Sequence, residues 1–233
     1  MVFVPWSSAV CLSGFLVSLV GEALQPPVSK ARPKERRMMA VFGKFIFLTV
    51  QTNALNAAYH ALALVSALAG SPAGLEALVW RLFPLTFGLA ALLTPLYYAL
   101  DHFQPQKRIA DQEKIEDGFR LVPLANHICH AHALPLAILS ACCFERPAPA
   151  AMDAVVPIAL YSLWYLNITL VNKWATGEWA YAFMEVAERR AGRVGVPALV
   201  AVVAVTLSLL GFAGCALVRA CGPRAAQLPI GLF

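Results

Sequence analysis

Charge is what this sequence has least of. Only 13% of its 233 residues are Asp, Glu, Lys or Arg, against 60% hydrophobic; soluble domains carry about 25% charged and 45–50% apolar residues. The scarcity is uneven. Six windows, 1–21, 45–75, 82–100, 121–144, 154–172 and 194–218, hold no charged residue at all. Together they take up 139 residues, which leaves no room for a separate water-soluble domain. A helix needs roughly 20 mostly apolar residues to cross a bilayer core. The sequence therefore predicts an all-α, polytopic membrane protein, a six-transmembrane-helix bundle forming one integral membrane domain over 1–233. Its helices are expected at about 3–24, 42–69, 78–100, 121–144, 154–174 and 195–219.

Several motifs are missing as well. None of the six cysteines forms a C-x-x-C pair, which excludes a zinc ribbon and a dithiol motif. Five lie within apolar windows and Cys221 just past one. Cys221 reads as an inert buried or interfacial thiol, with palmitoylation the alternative, and the set is silent about redox compartment. There is no G-x-S-x-G elbow, no H-E-x-x-H and no glycine-rich phosphate loop. Standard serine hydrolases, zincins and nucleotide-using enzymes are thereby set aside. Asn167-Ile168-Thr169 matches the glycosylation sequon but falls in mid-helix, where no glycan can be added.

The formal charge of +5 does not indicate nucleic-acid binding, because the basic residues are confined to particular connections. Lys30, Arg32, Lys34, Arg36, Arg37 and Lys44 lie between the first two windows. Lys107, Arg108, Lys114 and Arg120 lie in the third connection, and Lys173, Arg189, Arg190 and Arg193 in the fifth. These are fourteen of the eighteen basic residues. The positive-inside rule places the three connections in the cytoplasm and both termini outside or in a lumen. No basic residue precedes Lys30, so the first window is expected to be an anchor helix rather than a cleaved signal. The third connection reads as a solvated loop, and Gly177 to Phe183 as an interfacial aromatic belt.

Against so apolar a background, neutral polar residues in mid-membrane mark the bundle interior. The second helix carries Thr49, Thr52, Asn53, Asn56 and His60. At about 100° per residue all five fall within an arc of roughly 100°, with Gln51 outside it. The fourth helix carries Asn126, His127 and His130 on one face, since steps of three and four meet; His132 points roughly 160° from His130. Both helices start from the same side of the membrane. Counted from those starts, Thr49 and His130 lie at a common depth of roughly 10–14 Å.

A threonine hydroxyl is a weak nucleophile until a neighbouring base takes its proton, and a neutral imidazole can do so. Asn53, Asn56 or His127 would then orient the base or stabilise an oxyanion. The same residues also suit a packing role, in which Thr bonds its own backbone and His or Asn joins helices. A third reading is a metal site from His60, His127 and His130, or with Asp101 completing it. At most two of the three helix-four histidines can converge from one helix.

At these positions the chain resembles the family of androgen-induced gene and androgen-dependent tissue-factor-pathway-inhibitor-regulating proteins. Three collinear blocks carry the likeness. The first is Lys44-Phe45-Ile46-Phe47-Leu48-Thr49, continuing through Asn56 to Tyr59. The second is Asn126-His127-Ile128-Cys129-His130 followed by Leu134-Pro135, and the third is Thr176-Gly177-Glu178-Trp179-Ala180-Tyr181-Ala182-Phe183. Pro84 and the stretch from Tyr98 to Asp101 fall in the expected order. The chain departs from the family pattern at Thr52, Asn56 and Ala182. The resemblance implies a multi-pass membrane threonine hydrolase of fatty-acid esters of hydroxy fatty acids, with Thr49 as nucleophile and His130 as its partner.

The expected activity is accordingly that of an intramembrane carboxylic-ester hydrolase. Thr49 and His130 are the expected catalytic residues, and Asn53, Asn56, His60, Asn126 and His127 the supporting ones. No metal or cofactor is expected. The expected partners are a lipid ester substrate and membrane lipids, with no nucleic acid and no obligate protein partner, in the plasma membrane or endoplasmic reticulum. The rival from another class is a lipid-binding protein or transporter using the same polar cavity, although no internal symmetry of the transporter kind is visible.

Overall fold

In the computed structural model the described residues are 5–143 and 150–225. Among them the chain forms ten α-helices and no strand. In chain order these are α1 (Pro5–Ala23), α2 (Pro33–Met38), α3 (Leu48–Leu68), α4 (Ala73–Tyr97), α5 (Pro105–Glu116), α6 (Val122–Ala131), α7 (Ala133–Cys143), α8 (Ala151–Thr176), α9 (Ala182–Ala191) and α10 (Gly195–Ala225). A π-turn at Tyr98–His102 extends α4, and a 3-10 turn at Gly43–Ile46 precedes α3.

Among the described residues five segments are long and apolar enough to cross a membrane: Ser8–Lys30, Ala73–Tyr97, Val122–Cys142, Met152–Thr176 and Ala182–Cys221. The expected count of six is therefore not confirmed. The missing one is α3, whose 21 residues would reach about 31 Å. Its Thr49, Gln51, Thr52, Asn53, Asn56, His60 and Ser66 dilute its hydropathy too far. Instead α3 is enclosed by protein, packed on α1, α4 and α6. Thr52, Asn53, Asn56 and His60 are all buried, and so is Gln51 on the far side of the stripe. An integral membrane protein with an enclosed polar helix is the result.

Several helix boundaries differ from expectation: α4 begins at Ala73 rather than 78 and α10 runs to Ala225 rather than 219, and two further differences have a local reason. The second helix was expected from residue 42, but Gly43 adopts φ +57° and Phe47 is extended, so α3 begins at Leu48. Thr49 thus lies in its first turn, not several residues inside it. The fourth helix was expected to run unbroken over 121–144, of which 144 lies outside the described residues; it is divided at His132 into α6 and α7. Pro135 has no N–H to give the Ala131 carbonyl four residues earlier, so the ladder opens there. The third connection, expected to be loop, contains α5.

Small residues set the closest helix approaches. A Cβ on Gly88 of α4 would lie 2.9 Å from the Leu207 carbonyl oxygen of α10, and one on Gly211 of α10 would lie 3.0 Å from the Pro84 oxygen of α4. Gly14 of α1 leaves space for the His60 ring of α3. Such contacts are how apolar helices associate where lipid offers no hydrophobic gradient. They fix α3 and α4 against α1 and α10, and so fix what α3 presents at its N-terminus.

Candidate active site

Thr49 in the first turn of α3 and His130 near the end of α6 meet directly. Thr49 Oγ1 lies 3.1 Å from His130 Nε2. On the other side of the ring, His130 Nδ1 lies 2.7 Å from the Asn126 carbonyl oxygen, one helical turn back. A carbonyl oxygen only accepts, so Nδ1 carries the hydrogen and donates it. In the neutral ring Nε2 is then the acceptor, and the Thr49 hydroxyl donates to it. The Tyr97 ring stacks on the imidazole at 3.9 Å between centroids and 13° between planes. Thr94 Oγ1 donates to the His130 carbonyl oxygen at 2.6 Å, serving an acceptor where the helix breaks.

The start of α3 is built by side chains distant in sequence. The Leu48 N–H donates to the Tyr181 hydroxyl at 2.8 Å. Gln51 Nε2 donates to the Phe45 carbonyl oxygen at 2.6 Å, and the Tyr161 hydroxyl donates to Gln51 Oε1 at 3.2 Å. The Gln51 N–H takes the Phe47 carbonyl. Among the described residues the backbone N–H groups of Thr49 and Val50 meet no acceptor. Free N–H groups at a helix start, reinforced by the helix dipole, favour negative charge beside them. Tyr181 belongs to the segment read as an aromatic belt. It folds inward, stacked on Phe183 at 5.0 Å, while the Trp179 indole N–H donates to Glu188 at 2.8 Å.

Thr49 and His130 line a cavity of about 590 Å³, together with Leu93, Tyr97 and Phe183 and with the charged groups Glu22, Lys44, Lys107 and Lys114. A drug-sized or lipid-sized ligand suits this volume. Burial pushes the Lys44 ammonium below its usual pKa range, with Glu22 pulling the other way. The cavity combines apolar walls with charged side chains, Lys30, Glu35 and Asp117 among them, the character needed to accept an amphiphile.

Of the five expected supporting residues, only Asn126 lines this cavity. Its side chain accepts from Gln25 Nε2 at 3.2 Å and donates to Asp111 Oδ2 at 3.1 Å, and Lys107 pairs with Asp111 at 2.6 Å. Asn53 stands one step back, donating to Glu22 Oε1 at 3.1 Å. Asn56 and His60 are buried away from the cavity. The His60 ring packs against Gly14 and Tyr59. The hydroxyl of Tyr98 in the π-turn lies 3.0 Å from His127 Nδ1, and the His102 ring is 4.8 Å from that of His127. Among the described residues no three His, Cys, Asp or Glu side chains gather into a metal-holding group. The proposed triad of His60, His127 and His130 is thus not assembled, and the Asp101 side chain lies outside the described ones.

The residues that sequence reasoning missed come from segments it assigned to boundaries and loops. Glu22 lies in the last turn of α1, Gln25 just past its end, and Asp111 in α5. The spacing of Glu22 and Gln25 past an apolar window was the available signal. Nothing in the sequence marked Tyr97 as the partner of the imidazole.

In comparison with known proteins, the family model described as FAR-17a/AIG1-like protein matches residues 10–213. No curated protein and no solved structure matches the chain.

Proposed function

Because the chain belongs to the FAR-17a/AIG1-like family, we propose that it is an intramembrane esterase of fatty-acid esters of hydroxy fatty acids, with Thr49 as nucleophile and His130 as general base. The observation that carries this reading is the 3.1 Å contact between Thr49 Oγ1 and His130 Nε2, made by an imidazole whose other nitrogen is committed to Asn126. That commitment selects the tautomer in which Nε2 is a base.

The reaction follows from these positions. Thr49 Oγ1 attacks the ester carbonyl carbon as its proton passes to His130 Nε2. The Asn126 carbonyl, accepting from Nδ1–H, favours the imidazolium that forms. Negative charge on the former carbonyl oxygen is met by the Thr49 and Val50 N–H groups at the start of α3. The carbon–oxygen bond to the hydroxy acid then breaks, and its alkoxide oxygen takes the proton from Nε2. Water next attacks the acyl-threonine with His130 again as base. The carboxylic acid leaves and Thr49 regains its proton. No metal and no cofactor takes part, and the lipid ester enters between the helices of a single membrane domain.

The experiment is hydrolysis of a branched fatty-acid ester by purified protein, with Thr49→Ala and His130→Ala beside it. Loss of at least a hundredfold in both variants is expected, since a nucleophile and its base act as a unit. Wild-type rates in both refute the proposal. Saturable ester binding without turnover by the wild-type protein favours instead a lipid-binding role for the same cavity.

A further inference from the structure

At the opposite end of the bundle from the cavity, two cysteines from different helices meet. Cys142 Sγ in the last turn of α7 lies 3.1 Å from Cys221 Sγ near the end of α10. This is closer than two unbonded thiol sulfurs ordinarily rest. We propose that Cys142 and Cys221 form a disulfide bond tying α7 to α10. The proposal is independent of ester hydrolysis.

Three further observations bear on it. First, the approach is built into packed backbone rather than made by mobile side chains. Ala137 and Ala141 of α7 share a core cluster with Val218 of α10, and Ala141 and Val218 are 0% and 1% exposed. Alanines on α7 let the two helices come close, and Cys142 and Cys221 follow Ala141 and Val218 by one and three residues. Second, among the described side chains these two thiols are the more accessible ones. Cys142 and Cys221 are only partly buried, whereas Cys11, Cys129 and Cys215 are buried. An oxidant therefore reaches this pair before those three buried thiols. Third, both lie at the membrane face opposite the basic connections. α7 runs away from α5 and its lysines, and α10 runs away from Arg189, Arg190 and Arg193. By the positive-inside assignment that face is extracellular or lumenal, the side on which disulfides form and persist.

The chemistry balances without any group in the bundle. The two S–H bonds break and one S–S bond forms. The two electrons and two protons pass to a disulfide-bearing oxidant of that compartment, which is reduced to two thiols by exchange. Because α7 continues the helical stretch that carries His130, the bond anchors the far end of that stretch to α10.

The test uses full-length protein in isolated membranes, alkylated without reductant, digested and mapped by mass spectrometry. The expected result is a linked peptide pair containing Cys142 and Cys221, lighter by two hydrogens than the separate thiol peptides. It disappears on reduction and in Cys142→Ser and Cys221→Ser, and survives in Cys143→Ser. As a second readout, the melting temperature in detergent falls on reduction of the wild type but not of the Cys142→Ser/Cys221→Ser variant. Recovery of both cysteines fully alkylated from unreduced membranes overturns the proposal. So does a linked pair that persists in Cys142→Ser.

Discussion

Replacing Gly14 by alanine tests how α3 is held. The added Cβ would lie 2.4 Å from His60 Cδ2, 2.6 Å from Nε2 and 2.8 Å from Cγ, where ordinary contact begins near 3.4 Å. The ring cannot swing clear by turning about its own bond, because Cγ is among the atoms struck. Nor can it leave, since His60 is only 2% exposed. Overpacking of this kind costs about 1–3 kcal/mol, and the better helix propensity of alanine returns roughly 0.8–1 kcal/mol. A net loss of up to about 2 kcal/mol is expected, or up to about 8 °C in melting temperature for a chain of this size. The assay is thermal unfolding in detergent of the wild type, Gly14→Ala, His60→Ala and the double variant. Gly74→Ala serves as control, because a Cβ there meets nothing within 4 Å. In the His60→Ala background the Gly14→Ala penalty should vanish, giving a coupling of about 1 kcal/mol or more. Equal penalties in both backgrounds, or no penalty in either, refute the proposed contact.

Other perturbations probe the dyad and its frame. Tyr97→Leu removes the ring stacked on His130 and should lower kcat about tenfold through misplacement of the imidazole, with KM little changed in steady-state hydrolysis. Tyr181→Phe leaves the Leu48 N–H without its acceptor; a loss of about 1 kcal/mol should appear as a lower melting temperature and a several-fold slower turnover. Gly195→Ala places a Cβ 2.1 Å from the Ala187 carbonyl oxygen. It should destabilise the α9–α10 corner by about 3 kcal/mol or more, read by loss of helical circular dichroism on heating.

How far the sequence disclosed this arrangement depends on the kind of signal. Membrane character was legible because absence of charge is a property of composition. The polar face of α3 was legible because helical period puts Thr49, Asn53, Asn56 and His60 together. That same polarity is why α3 fails as an apolar span: it needs protein around it, and only tertiary packing shows α1 and α4 supplying it. Thr49 and His130 were paired from residue type, depth and family resemblance, and they do meet. The depth reasoning was nevertheless inexact, since it counted Thr49 from a helix start that Gly43 and Phe47 postpone. The lining was less legible. Asn56, His60 and His127 share a helix with Thr49 or His130 but turn to other neighbours. Glu22, Tyr97 and Asp111 reach the site by folding, which no local pattern encodes. Pro135 did signal the break between α6 and α7, through a missing N–H four residues after Ala131.

The central claim is that Thr49 becomes covalently acylated with His130 as its base. The most direct measurement is intact and peptide mass spectrometry of the purified protein after exposure to an activated lipid phosphonate. One adduct is expected, on the peptide containing Thr49, formed quickly in the wild type, about a hundredfold more slowly in His130→Ala and never in Thr49→Ala. Labelling that survives Thr49→Ala, or that proceeds at the same rate without His130, contradicts it.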